Sequence, residues 1–416
     1  MTGAMYAAIA GMKTHMNKLN VIGNNVANVN TSGYKAQRTV FRDALYTMYS
    51  SGSDGTATTG GKNPSQVGYG SSISSIDLNM TTSTYTPGRP MDCMLYGDGF
   101  FLVGSKDVAN VIDAKDPNSF KGLTLTRVGD FEFKADGYLT DGKGNPVYGF
   151  MTVGTDADGN PIVSDQLVPI RLPRMEKVAV KPGTSDPFEG DMDTAVEGKD
   201  YEWSYTVRYP VAAKTDDGKQ ITDYTELLKP DVESSRLEDY WPVNKDGDPV
   251  DSDTNPLAFA QIDGLEIDPK SGKISGTLKD TDQVVTIGYL AVGNVTNPNG
   301  VSHTGDSYYK CGNGAGDLQI SMLGGAASTI KTVGGGTLSH VNGSLAELAQ
   351  DEELSKKSEI TSAGSTELIT GGLEASNVDL ATEISEMITT QRGYQANTRI
   401  VTVTDAMLEE LVNMKR

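Results

Sequence analysis

The sequence predicts an α+β chain of several domains, with a helix at each end and β-rich structure between them. Three features lead there. Apolar residues step by four and three along the N-terminal stretch, a seven-residue repeat runs through the C-terminal stretch, and the middle alternates apolar with polar residues among many of the 47 glycines. At 416 residues the chain is too long for one comfortable core, so it asks for domain boundaries.

The first helix is marked by Met5, Ile9, Met12, Met16, Leu19, Ile22 or Gly23, and Val26, which form one stripe at helical spacing. The stripe ends in GNNVANVNTSGY, where Asn and Gly favour turns and left-handed backbone. At the other end Leu373, Leu380, Met387, Tyr394, Val401 and Leu408 recur every seven residues, and Ile384 and Val412 partly fill a second seam. Gln391, Thr398 and Asp405 dilute that second seam, which suits a helix with more than one neighbour. If helical from 378 to 413, the segment spans about 54 Å. A single apolar stripe in water does not offset nucleation and ordering costs, so each helix needs a partner. The nearest partner is the other helix; the alternative is a helical hairpin lying on the chain's own globular body.

Between the helices, MDCMLYGDGFFLVG, TLTRVGDFEFKADGYLTDGKGNPVYGF and LEIDPKSGKISGTLKDTDQVVTIGYLAVGNV read as hairpins broken by DG, KSG and GKGN turns. Ser50 to Gly61 and Gly324 to Gly336 read as flexible Gly, Ser and Thr stretches. Glu176 to Ala258 is acidic and carries Trp203, Trp241 and several Tyr, enough for a small core of its own. The resulting plan is a helical domain of 1–35 and 372–416, a connector loop at 36–70, a β-rich domain of 71–175 and 259–371, and an inserted domain at 176–258.

Charge narrows the function classes. The formal net charge of −20 argues against nucleic acid and anionic membrane as partners, and no apolar run reaches the roughly 18 residues of a bilayer span. Residues 1 to 42 hold Lys13, Lys18, Lys35, Arg38 and Arg42 with no acid, whereas 176 to 260 hold 9 basic against 20 acidic residues, a net of −11. The N-terminus lacks the basic and apolar regions of a secretory signal, so if the protein leaves the cell it is expected to use another route. Cys93 and Cys311 are expected to be small buried thiols.

Enzyme signals fail one by one, and no cofactor or metal is expected. His15, His303 and His340 have no metal-pair spacing, His15 reads as a helix-surface or packing residue, and no GxSxG occurs. GYLTDGKG, Gly137 to Gly144, has Gly144 where a phosphate loop needs Ser or Thr, and reads as a hairpin turn. DADGNP, Asp156 to Pro161, lacks the sixth-position Gly of a calcium loop, and Leu167 occupies the place of its twelfth-position Glu.

One segment carries a family resemblance. NNVANVNTSGYKAQRTVF contains Asn24, Asn25, Asn28, Thr31, Gly33, Tyr34 and Lys35 in an NN.AN..T.GYK pattern. It resembles the signature of the flagellar rod and hook proteins. SNVDLATEISEMITTQRGYQANTRIVTVTDAMLEELVNM resembles the family's C-terminal helix, with Ser376, Asn377, Gln391, Arg392, Gln395 and Asn397 at motif positions. GDGFFLV, TRVGDFEF, ADGYLTDGKGNPVYG, IDPKSGKISG and NPNGVSHTGDSYY are similar to its β-rich stretches. Gly393 departs from the family's usual Ala, and Cys93 from its small apolar residue.

The resemblance implies a tube of many copies. Paired terminal helices would form a coiled-coil-like inner domain, a β-rich middle domain would surround it, and the insertion would be an outer β-rich domain. It implies a non-enzymatic hook subunit, a bendable universal joint passing torque from rod to filament. It also implies export through the flagellar type III apparatus to an extracellular position, with rod, hook–filament junction and hook-cap proteins as partners beside the chain itself. The seam residues would then be assembly residues. A distal rod subunit stays open, though such subunits are typically shorter, and so does a secreted carbohydrate-binding or hydrolytic protein.

Overall fold

In the computed structural model the described residues are 2–56, 58–104, 123–134, 137–155, 161–163, 167–183, 196, 198–208, 262–279, 283–312, 314–316, 318–322, 331–332 and 366–414. The chain divides into two compact units, Met1–Thr84 with Ala375–Arg416, and Tyr85–Glu374. These boundaries move residues 71–84 out of the expected middle domain and residues 372–374 into it.

The first unit holds α1 (Thr2–Ala27), β1 (Gln37–Asp43), β2 (Tyr46–Ser50), β3 (Ser65–Gly68), β4 (Ser71–Leu78) and α2 (Leu380–Asn413). β1 pairs antiparallel with β4, from Gln37 opposite Leu78 to Asp43 opposite Ser71, and β2 pairs with β3. Bonds from Ala44 N–H to Gly70 O and from Tyr69 N–H to Leu45 O carry the ladder across the joint, and a Ser53–Lys62 bridge extends it. The expected connector loop at 36–70 is therefore one side, the tip and the start of the returning side of a long two-stranded ribbon. Its strands hide in the sequence because a ribbon lacks the wide apolar face that produces clean alternation; Tyr46, Met48 and Tyr49 are all exposed. Gly70 is required here. Its φ is +108°, and a β-carbon would lie 2.9 Å from that of Ala10 and 3.0 Å from the Ala7 carbonyl.

The second unit is built on the strand Val284–Val295, whose antiparallel neighbours are Phe100–Val103, Tyr148–Thr155, Lys273–Leu278 and Leu318–Met322. Leu95, Phe101, Phe131, Ile274, Ile287 and Leu290 belong to its core, and each such side chain contributes about 1.5–3 kcal/mol by leaving water. Three expected hairpins become two. Ile262–Ile267, Lys273–Leu278 and Val284–Val295 do follow one another as antiparallel neighbours, and Glu132–Phe133 pairs with Leu139–Thr140. Cys93–Tyr96, however, pairs with the returning strand Glu367–Thr370 rather than with its sequence neighbour. Gly97 and Gly99, at φ +107° and +124°, turn the chain away between the two. Gly372–Glu374 pairs likewise with Tyr85–Pro87, so the entering and leaving segments clasp each other.

Arg127 and Glu374 are both fully buried in this unit, with Arg127 Nη1 3.9 Å from Glu374 Oε2. Arg127 also donates to the carbonyls of Leu95 (3.1 Å) and Gly97 (2.5 Å). Cys93 is a buried core thiol as expected, but Cys311 is only half-buried and lies outside any strand. GYLTDGKG does make a turn: the Asp141 carboxylate accepts from the N–H groups of Lys143 and Asn145. Arg174–Val180 and Glu202–Arg208 pair as a separate two-stranded sheet. Apart from 181–183, 196 and 198–201, the rest of the acidic insertion lies outside the described residues, as do Trp241, His340, most of Gly324–Gly336 and residues 156–160 of the expected turn.

Candidate assembly site

The asparagine motif is a polar junction that holds the chain termini together. α1 ends at Ala27, and the Asn28 amide donates back to the Asn24 carbonyl (2.9 Å) and side chain (3.0 Å), covering the orphan groups of the last turn. Thr31 donates to Asn28 Oδ1 at 3.1 Å, and Gly33, at φ +68°, reverses the chain. Asn25 is 1 % exposed. Its Oδ1 accepts from Gln37 N–H (3.0 Å) and the Tyr34 hydroxyl (3.1 Å), while its Nδ2 donates to the Gln37 carbonyl (2.8 Å) and Glu383 Oε1 (2.9 Å). One side chain thus ties α1, β1 and α2.

The C-terminal motif answers it. Asn377 Oδ1 accepts from Ala36 N–H at 2.7 Å, and its amide donates to the carbonyls of Asn79 and Thr81. Lys35, itself buried, donates to the same Thr81 carbonyl at 3.0 Å, and Ser83 donates to the Ser376 carbonyl. Asp379 caps α2 by accepting from Ala381 N–H and the Thr382 hydroxyl, which holds its carboxyl below the usual range. Burial, followed by the Glu383 charge, pushes the Tyr34 phenol up to about 12. Glu383 is itself raised, first by burial and then by Glu386, against the lowering bond from Asn25. Lys18 pairs with Glu386 at 2.9 Å.

α1 and α2 lie antiparallel. Apart from Ile22, their buried positions differ from the apolar stripes: Ala8, Gly11, Thr14 and Asn25 on α1, Thr390 and Thr404 on α2. The threonine hydroxyls donate to their own helix, to Gly11 O, Glu386 O and Ile400 O respectively, so each can offer its methyl outward. Of the seam residues, Met5, Met12, Leu19, Val26, Met387, Tyr394, Val401 and Leu408 are half-buried. Ile9, Met16, Leu380 and Ile384 are exposed, by 40–48 %. Gln391, Arg392 and Gln395 are exposed, whereas Asn397 is half-buried against Gly11. His15 packs edge-on to Phe41, as a packing residue should.

A second exposed stripe, Ile400, Val403, Met407, Leu411 and Met414, lies outside the expected seam. Its 3, 4, 4, 3 spacing was visible, but the neighbouring heptad through Val401 and Leu408 concealed it. Among the described residues no His, Cys, Asp and Glu group is arranged to hold a metal ion, and no helix is long and apolar enough to cross a membrane. What the site offers is a locked pair of helices with uncovered apolar stripes.

Comparison with known proteins agrees at both ends. The family model described as flagella basal body rod protein matches residues 5–35, and the flagellar basal body rod FlgEFG protein C-terminal model matches residues 369–414. The chain is 28 % identical to the flagellar basal-body rod protein FlgG of Bacillus subtilis over 421 aligned residues, all of both chains. It is 25 % identical to the flagellar hook protein FlgE of Borreliella burgdorferi over 496 residues and 26 % to that of Treponema pallidum over 491, again all of each chain. The two motifs that build the junction fall inside the two matched segments, and the chain is similar along its length to flagellar rod and hook proteins, the axial structural subunits.

Proposed function

We propose that this chain is the hook subunit, polymerising into a flexible tube that carries torque from rod to filament. The observation that carries assembly is the pair of uncovered stripes, Ile9 and Met16 on α1 and Ile400, Val403, Met407 and Leu411 on α2. Apolar surface in rows of this length is a docking surface, and in a homopolymer the occupant is another copy. In this reading the terminal helices form the coiled-coil-like inner domain, the seam residues are assembly contacts, and 176–258 is the outer domain. Export through the type III apparatus and contacts with the rod, junction and cap proteins follow from the same reading.

Hook is favoured over rod by the insertion. The separate Arg174–Val180 and Glu202–Arg208 pair supports a segment that leaves the main sheet there and rejoins it at Ile262. The rod reading has the Bacillus subtilis relative in its favour. Immunogold labelling of isolated flagella decides between them: label on the curved segment between rod and filament is the expected result, and label confined to the rod overturns it.

A further inference from the structure

The contacts between α1 and α2 obey a single register. Gly11 meets Asn397, His15 meets Gly393 and Asn25 meets Glu383. A step of four along α1 from Gly11 to His15 is matched by four back along α2 from Asn397 to Gly393. The ten residues from His15 to Asn25 are matched by the ten from Gly393 to Glu383.

The two upper pairs are reciprocal. A β-carbon on Gly393 would lie 2.8 Å from His15 Cε1 and 2.9 Å from Nε2, and one on Gly11 would lie 2.7 Å from Asn397 Nδ2. Each helix thus carries a glycine notch and, four residues later, the side chain that fills the opposite notch. Gly3 and Gly23 on α1 face open space, so close approach is particular to Gly11 and Gly393. Glycine is the poorest helix former after proline, and a glycine inside a long helix calls for a reason. His15 has little room to swing aside, because the Phe41 ring stands edge-on at 6.0 Å. A slip of one turn would set His15 opposite Asn397 or Thr389, where a side chain already fills the gap.

We propose that His15 and Asn397, each seated on the glycine of the opposite helix, fix the register of α1 against α2. Register decides which parts of the two exposed stripes stand side by side, so these residues determine the composite surface the helix pair presents. The inference concerns one chain and holds for hook and rod alike.

Disulfide mapping on the full chain with Cys311→Ser tests it. Ile22 is matched to Glu386 in this register, and both line one cleft. Ile22→Cys with Glu386→Cys should cross-link about tenfold better than Ile22→Cys with either Thr382→Cys or Thr390→Cys. Gly393→Ala should collapse that preference, and adding His15→Ala should restore it. If helix propensity alone mattered, Gly393→Ala would leave the preference intact, which overturns the proposal. A preference absent from the parent chain, or still collapsed in the double variant, overturns it equally, since the added methyl would then act without His15.

Discussion

Replacing Asn25 with Asp keeps the side chain's shape and turns its donor end into an acceptor. The new oxygen would face the Gln37 carbonyl and Glu383 Oε1, which stand 2.8 and 2.9 Å from the native amide nitrogen. Burial already holds the Glu383 carboxyl above its ordinary value, so the less costly state keeps one proton between the two carboxyls. Holding an ordinary Asp of pKa about 3.9 protonated costs about 4 kcal/mol at pH 7 and about 1.5 kcal/mol at pH 5, at about 1.36 kcal/mol per unit. One lost hydrogen bond adds about 1 kcal/mol at either pH. The folded pair has a raised pKa, so its stability is present at low pH and is lost as pH rises from about 4 towards neutrality. Asn25→Ala removes three neutral bonds and one to a charged acceptor, about 5 kcal/mol with little pH dependence. The assay is the yield of sedimentable polymer, each variant divided by the parent at the same pH. Asn25→Asp should fail at pH 7 and recover much of its yield at pH 5, while Asn25→Ala should not recover. A flat ratio for Asn25→Asp, or parental yield at pH 7, refutes the account of the junction.

Three further outcomes are expected. Ile9→Asp and Val401→Asp should each abolish polymer while the melting of the Tyr85–Glu374 unit stays unchanged, because a charge at a helix contact costs several kcal/mol to desolvate; normal polymer from both variants would sink the seam assignment. Glu374→Ala leaves the Arg127 guanidinium buried without its carboxylate and should cost about 3–5 kcal/mol by denaturant titration, whereas Glu374→Leu with Arg127→Met should cost far less; equal losses would contradict the buried-pair description. Exchanging 176–258 for a short Gly-Ser linker should preserve export and tube formation but alter curvature in electron micrographs, since its net −11 suits a water-screened rim; exported protein that forms no tubes would place the segment in the wall.

The two terminal helices were legible because their residues repeat locally, and a period of 3.6 or 3.5 needs only one element to show itself. Pairing across the chain was not. Nothing local says that Cys93–Tyr96 pairs with Glu367–Thr370, and the β1–β4 ribbon lacks a buried face to print an alternation. The face that joins α1 to α2 was missed for a chemical reason. Its buried members include Thr390 and Thr404, polar by type, yet their hydroxyls are satisfied within their own helix. A stripe of apolar residues points to where a helix is sticky, and that face need not be the one its own chain covers.

The division of labour on the helices follows from that distinction. The ends are closed by directional bonds: Asn25 to Glu383 and Gln37, Asn377 to Ala36, Asn79 and Thr81, Lys35 to Thr81. Such bonds specify one geometry because a small displacement breaks them, whereas apolar contacts tolerate sliding. Had the chain closed its ends with Ile9, Met16, Ile400 and Met407, the same surface would have been consumed within the subunit. Spending asparagine, threonine and glycine on the internal contact leaves the apolar rows uncovered. In the proposed polymer the motif's residues would serve assembly indirectly, by setting the helices in place without using the surface that a second copy needs.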